Sequence, residues 1–343
     1  MSRFLAMPTT RRHLLLALGA LVVVVLVLEN TSQFRNAQFA AMAYYAIAAG
    51  GLTILTGLNG QLSLGHGALM AVGAYTTALL LQEPDSALPL VLVLVLATVV
   101  TLVVGALVGV AAARLHGPYL AGATLALAVA IPGIPLYFSE TLGGDQGLRV
   151  RMPDIPVWLD DAVYFVTGQG LTPTRFLAYL GWLGVIVVFV LLANLARSRV
   201  GRTWQAVRDD EVAAELAGID LGRARVLAFV VSSGCAGLAG GLLALSTRLA
   251  APSGFALTLS LLLLSAVVLG GLGSLTGALV GAALLAFLPQ VVTGFGADLG
   301  LTDVQAAEIA PLIYGLVTVL VVLLAPAGLA GGLRKLIHWR RGT

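Results

Sequence analysis

The feature that most restricts this chain is an uncharged apolar run from Leu88 to Ala113. It exceeds the ~20 residues a helix needs to cross ~30 Å of hydrocarbon. A backbone in lipid must satisfy its own N–H and C=O groups, so only a helix or a closed barrel can span. Barrel strands alternate lipid-facing and lumen-facing residues, and this run does not alternate. It is read as a helix. Similar runs recur, and ten spans are expected, at about 13–28, 37–57, 61–82, 87–113, 117–138, 176–196, 224–247, 257–273, 275–296 and 306–325. Neighbours separated only by Gly or Gly-Ser, such as 257–273 and 275–296, can instead be broken or re-entrant helices, which lowers the count towards eight. The expected fold is all-α: one polytopic transmembrane helical bundle over 1–343, with long loops at 139–175 and 197–223.

Composition agrees. Hydrophobic residues are 59% of the chain and charged residues 10%, against roughly 25% charged in a soluble domain. The first run, His13 to Leu28, follows Arg3, Arg11 and Arg12 like a signal peptide, but has no small-residue cleavage pattern. It is read as a retained helix. Cytoplasmic loops collect Lys and Arg. With both termini cytoplasmic, all 19 basic residues except Arg35, Arg149, Arg151, Arg175 and Arg248 fall inside. All acidic residues except Asp209, Asp210, Glu211, Glu215 and Asp220 fall outside. The net charge of +3 is thus a matter of topology, and no nucleic-acid partner is expected. No charge lies deep within a span, which argues against a proton pump, an ion-coupled carrier or a voltage sensor. The single cysteine, Cys235, reads as a small buried residue.

Gly57 to Ala68 interrupts this pattern, with Asn59, Gln61, Ser63 and His66 among four glycines. Polar groups at membrane depth are costly unless they face protein or a water-filled path, and glycines let a helix break. Asn59, Gln61 and Ser63 either contact a solute or hold helices together. His66 either lines a path or bonds a neighbouring backbone, the second being favoured. Thr124 and Ser265 are expected to bond their own helix backbone. Pro132 and Pro135 are expected to kink or end a span. A faint echo links Ser63–Leu69 with Ser274–Leu279, as repeats do in transporters.

The 197–223 loop carries good helix formers, an acidic cluster, and Gly218 placed as a helix stop. Trp204, Val207, Ala214 and Leu216-Ala217 make it partly amphipathic. Such a helix either lies among lipid headgroups or docks into a partner's groove. In the outer loop, Asp145 and Arg149 either meet a partner or are simply solvated.

Glu211-Val212-Ala213-Ala214-Glu215-Leu216-Ala217-Gly218 resembles the Glu-Ala-Ala–three–Gly loop of importer-type ABC permeases. Six segments resemble, in order, the LivM-type permeases of branched-chain amino-acid importers. They are Gly60–His66 with Gly73-Ala74-Tyr75; Gly117–Ala126; Gly143-Gly144-Asp145-Gln146-Gly147-Leu148; Gly201–Gly218; Val268–Gly277; and Pro326–Leu329. The resemblance implies a bacterial-type inner-membrane subunit that pairs with a LivH-like second permease. Two cytoplasmic ATPases and an extracytoplasmic binding protein would complete it, importing a small solute by alternating access. It places Gly201, Arg208, Asp209, Glu211, Ala213, Ala214 and Gly218 in ATPase coupling. It places Asn59, Gln61, Ser63, His66, Tyr75 and Thr124 on the translocation path, and Asp145, Gln146 and Arg149 at the binding protein. Glu211→Arg is then expected to uncouple ATP hydrolysis from uptake without harming insertion. No Gly-x-x-x-x-Gly-Lys-Ser/Thr phosphate loop is present, so no cofactor is expected on this chain and ATP belongs to the partner subunits.

Two departures stand out. Relatives usually have Ala-Phe after the His-containing motif, where this chain has Gly67-Ala68-Leu69-Met70. They carry Glu and then Arg where it has Val129–Pro135. Urea and nucleoside permeases share much of the pattern, so those solutes stand as alternatives to branched-chain or other amino acids. A channel or stand-alone carrier would not need the docking loop. An intramembrane enzyme would need a catalytic cluster that the scattered His13, His66, His116 and His338 do not form.

Overall fold

The computed structural model describes residues 9–82, 88–113, 118–168, 170–298, 302–324 and 328–331. Several charges used above to orient the chain lie outside these residues, namely Arg3, Glu83, Asp85, Arg114, Arg334, Lys335, Arg340 and Arg341. So do His116, His338, Gly117 and Pro326-Ala327. The helices are α1 (Thr9–Glu29), α2 (Gln33–Leu52), α3 (His66–Leu80), α4 (Leu90–Ala112), α5 (Pro118–Tyr137), α6 (Val157–Thr167), α7 (Pro173–Arg197), α8 (Arg199–Asp209), α9 (Glu211–Leu216), α10 (Leu221–Thr247), α11 (Leu257–Gly270), α12 (Leu275–Asp298) and α13 (Asp303–Leu324). Among the described residues, seven segments are long and apolar enough to cross a membrane. The shorter apolar stretches Leu15–Glu29, His66–Leu80 and Leu312–Val321 fall on the other expected spans. The chain is a multi-pass helical membrane protein.

α2 and α10 form the centre. Their most apolar windows are 78% and 72% buried, against 22–44% for the other long spans. α10 packs on α2, α3 and α4, while α2 also packs on α7 and α12. Small residues make this possible. A Cβ at Gly73 would run into the Gly237 backbone, and one at Gly240 into the Met70 backbone. Lipid gives helices no hydrophobic reason to associate, so close backbone packing supplies the attraction. Several hydroxyls within the spans are satisfied locally: Thr101 donates to the Ala97 carbonyl (2.8 Å) and Ser233 to that of Phe229 (2.7 Å). Cys235 is buried, its side chain against Gly51.

At ~1.5 Å per residue, the 27 residues of α10 separate the two ends of the bundle by about 40 Å. One end carries α8 and α9. The other carries a two-stranded antiparallel ladder, β1 (Leu148–Arg149) with β2 (Leu249–Ala250), in which Leu148 faces Ala250 and Arg149 faces Leu249. Two-residue strands show no readable periodicity, so both segments read as loop in the sequence. At this end Glu29 pairs with Arg175 (3.1 Å) and accepts from the Tyr179 hydroxyl (2.5 Å). The charge rule placed both residues outside, and here they are inserted between α1 and α7.

Two expectations change in detail, and a third, the separation of 257–273 from 275–296, is met. The span expected over 61–82 is helical only from His66, because Asn59–Gly65 is non-helical. Neither Pro132 nor Pro135 ends α5, which runs through both to Tyr137. The 257–273 and 275–296 runs are two helices, α11 and α12, meeting at a bend around Gly271 and Gly273, both with positive φ. The two echo segments each lead into a helix start, at His66 and Leu275.

Candidate functional site

Two helix breaks meet under α8. α2 ends in a π-helical turn, Thr53–Leu58, and turns of this kind are frequent at functional sites. Gly57 in that turn lies against Gly273 in the α11–α12 bend, where a Cβ would strike the Gly273 backbone. Gly60 has φ +80°, and its bare face takes the side-chain stem of Arg208. From there the chain runs extended to Gly65 and enters α3 inside the bundle.

The polar residues of this segment are buried: Asn59, Gln61, Ser63 and His66 are all 5% exposed or less. Gln61 Nε2 donates to the Arg225 carbonyl (3.0 Å) and to Asn59 Oδ1. Thr56 donates to the Gln61 carbonyl (3.1 Å). Thr124 Oγ1, on α5, accepts from the Leu64 N–H (3.0 Å) and donates to the Ala121 carbonyl (3.0 Å). Ser260, on α11, accepts from the Gly67 N–H (2.9 Å), one of the donors that a helix start leaves without an internal partner. Thus α5, α10 and α11 each hold one point of the broken segment. Atoms left without a hydrogen-bond partner include Asn59 Nδ2, both His66 ring nitrogens, the Tyr75 hydroxyl, Thr53 Oγ1 and Ser232 Oγ. His66 lies against the Ala48 backbone of α2, the kind of neighbour the favoured reading gave it, without closing a full hydrogen bond.

The loop expected to hold one helix holds two, α8 and α9. Ser198 caps α8, accepting from the Gly201 N–H (3.4 Å), and Asp210 caps α9, accepting from the Ala213 N–H (3.0 Å). Asp210 therefore closes one helix and opens the next. The amphipathic pattern resolves into two faces. Trp204, Val207 and Ala214 are buried on the bundle, with Trp204 Nε1 donating to the Ala224 carbonyl (2.9 Å). Val212 and Leu216 point outward, 68% and 85% exposed. Gly201 is buried too, tight against the Ala196 backbone. Arg208, Asp209, Glu211, Ala213 and Gly218 are exposed, Gly218 ending α9 with φ +86°.

Two arginines connect loop and break. Arg208 Nη1 donates to the Gly57 carbonyl (2.7 Å) while its Nε and Nη2 grip Asp209 (3.0 and 2.7 Å). Glu211 pairs with Arg225 (2.6 Å), whose side chain is 5% exposed, and the Arg225 carbonyl holds Gln61. Residues assigned separately to coupling and to the path are thereby linked through Gly57, Gly60 and Arg225. Arg225, Thr56 and Ser260 were missed by sequence reading, since each sits at an unremarkable position in an apolar or mixed run. Asp145, Gln146 and Arg149 lie exposed at the far end beside the ladder.

The Glu211–Arg225 pair corrects one expectation. Glu211→Arg would set two cations together, one of them buried, so lost uptake could not be separated from lost folding. Glu211→Gln keeps the shape and removes the charge. Removing one member of a fully buried pair costs ~3–5 kcal/mol. Glu211 is 49% exposed and Gln still accepts a hydrogen bond, so about 1–2 kcal/mol is expected. It would be read as a lower Tm of the detergent-solubilised chain, with Arg225→Met/Glu211→Leu less affected than Glu211→Gln.

A helix broken inside a membrane bundle is the construction used by solute transporters, and that is the class this fold defines. The comparisons agree. The chain belongs to the family of permease components of branched-chain amino acid transport systems, whose model matches residues 37–322. It is 30% identical over 311 residues to the high-affinity branched-chain amino acid permease protein LivM of Salmonella typhimurium, covering 87% of this chain and 70% of LivM. It is 28% identical to BraD of Pseudomonas aeruginosa (84% and 91% covered) and 24% identical to LivH of Escherichia coli K12 (84% and 91% covered). No solved structure gives a significant match. The chain is thus a permease subunit of a transport system of ABC importer type.

Proposed function

We propose that this chain is one half of the membrane path of an ATP-driven importer for branched-chain amino acids, acting beside a LivH-like permease in a bacterial inner membrane. Two ATPases bind at the α8–α9 end, which is cytoplasmic, and a solute-binding protein docks at the ladder end near Asp145, Gln146 and Arg149. The observation that carries this reading is the Arg208–Gly57 hydrogen bond (2.7 Å). It ties the exposed loop to the break in α2, so a displaced loop pulls on the segment that holds Asn59, Gln61 and Ser63. Transport proceeds by alternating access, with ATP hydrolysed on the partner subunits and no cofactor on this chain. The whole chain acts as a single permease domain.

The apolar outward face of α9 is the docking surface for the ATPase. Interface centres of this kind lose most from a buried charge. Leu216→Asp is expected to abolish co-purification of the ATPase and lower ATP-dependent uptake by about 100-fold. The Tm of the isolated chain should stay unchanged, because Leu216 touches solvent. A variant that still binds ATPase normally would remove α9 from the interface.

The reading as a whole is tested by ATP-dependent uptake in vesicles holding the two permeases, the ATPases and the binding protein. Labelled leucine, urea and a nucleoside are compared. Leucine uptake that stops without the binding protein is expected. Uptake of urea or nucleoside instead would keep the architecture and change the solute. Absence of ATP dependence for all three would overturn the importer reading.

A further inference from the structure

Two adjoining cavities at the ladder end have no role in the transport reading. The first, about 850 Å³, is walled by α1, α4, α6 and α7 through apolar side chains such as Leu21, Val25, Val91, Leu159, Phe176 and Leu183. Its size falls within the ~300–1,000 Å³ of small-ligand sites. The second, about 600 Å³, is lined by Arg151, Asp154 and Arg248 among others, and shares Pro153 and Asp154 with the first. An apolar chamber thus opens beside a chamber with two cations.

Depth, charge and surroundings agree on one occupant. Leu183, on the α7 wall of the apolar cavity, lies ten residues along from Pro173 at the start of that helix, about 15 Å deep, or half of a ~30 Å hydrocarbon layer. The outer surfaces of its α1 and α7 walls are apolar and exposed at Leu18, Val22 and Val187, so the chamber is continuous with a lipid-facing surface. Over it lies α6, with Trp158, Tyr164 and Phe165 exposed; aromatic side chains of this kind collect at headgroup depth. Arg151 and Arg248 then stand where a phosphate would be, arginine being suited to bidentate phosphate contact. The Arg248 backbone is fixed there in the left-handed region (φ +56°), its carbonyl accepting from the Val150 N–H (3.0 Å).

We propose that this pair of cavities binds one phospholipid of the leaflet at the ladder end. An acyl chain fills the apolar chamber, the phosphate meets Arg151 and Arg248, and the ammonium of a phosphatidylethanolamine headgroup faces Asp154. The site requires only that the chain be embedded in a bilayer, and stands apart from the choice of transported solute.

The test is electron spin resonance on the full chain in nanodiscs, using phosphatidylethanolamine and diacylglycerol with the same chain spin label. Saturable immobilisation of the phospholipid is expected, with diacylglycerol held about tenfold more weakly, as loss of a charged hydrogen bond implies. Arg151→Gln with Arg248→Asn should bring the phospholipid to the diacylglycerol level; Asn tolerates the positive φ at 248. Leu183→Trp should reduce immobilisation of both labels by filling the chamber. Should that variant fail to fold, the arginine pair, on exposed loops, still decides. Equal immobilisation of the two lipids, or no change in the arginine variant, overturns the proposal. So does loss of the signal on co-assembly with a second permease, which would make the chamber a protein interface.

Discussion

Arg208→Ala is expected to lower ATP-dependent leucine uptake by about 10- to 100-fold while leaving the chain inserted and folded. The guanidinium does two things, and they differ in weight. Its pairing with Asp209 is an exposed ion pair, with side chains 41% and 65% exposed, and such pairs contribute ~0–1 kcal/mol. Its bond to the Gly57 carbonyl is charge-assisted and reaches into the end of a helix, where carbonyls lack internal partners. Losing a hydrogen bond to a charged group costs ~1.5–3 kcal/mol, which gives the factor expected. Asp209→Ala, which keeps the Gly57 bond, should retain most uptake. Arg208→Lys should recover part of it, because an ammonium can reach the carbonyl but cannot hold Asp209 in the same planar grip. The separation is made by measuring uptake and ATP hydrolysis together. If α8 drives the break through this bond, hydrolysis continues in Arg208→Ala while uptake falls. Equal losses of both would place Arg208 in ATPase binding rather than in transmission.

How much of this was legible in the sequence depends on the length scale of the signal. Spans such as Leu90–Ala112 announce themselves, because twenty apolar residues in lipid have one backbone solution. The break after Leu58 was legible as well: glycines and amides in an apolar context cost too much to be ordinary lipid-facing helix. Its internal form was not. That α3 waits until His66 depends on Thr124 and Ser260, which arrive from sixty and nearly two hundred residues away. The loop at 199–216 misled in a particular way. Trp204 and Leu216 both looked like one apolar face, yet Asp210 breaks the helix between them and turns them to opposite sides. Arg225 was invisible for a different reason. It was assigned to an aqueous flank by the charge rule, and only packing shows it buried beneath Glu211. The ladder between Leu148–Arg149 and Leu249–Ala250 falls below any period that a sequence can display.

Gly57→Val should disable transport more completely than any polar substitution in the break, and it should do so by forcing two chain breaks apart. Gly57 and Gly273 face each other so closely that a Cβ on the first would strike the second's backbone. Gly273 cannot yield easily, since its φ of +76° fixes the bend between α11 and α12. Nor can the π-turn, held by Arg208 on one side and by Thr56 and Gln61 on the other. A buried clash between backbones costs ~1–3 kcal/mol or more. Separation would also remove the seat of Arg208, so the stability and coupling effects add. Uptake is expected to fall below detection and the Tm to drop. The contrast is Gly122→Ala in α5, where an added Cβ meets nothing within 4 Å. Ala there replaces the poorest non-proline helix former with the best, so the Tm should hold or rise and uptake should persist. Were Gly57→Val to transport normally, the two breaks would have to move independently. The link from α8 through Gly57 to the α11–α12 bend would then carry no motion, and Glu211, Arg225 and Gln61 would remain as a second bonded route from the loop into the segment that holds Asn59 and Ser63.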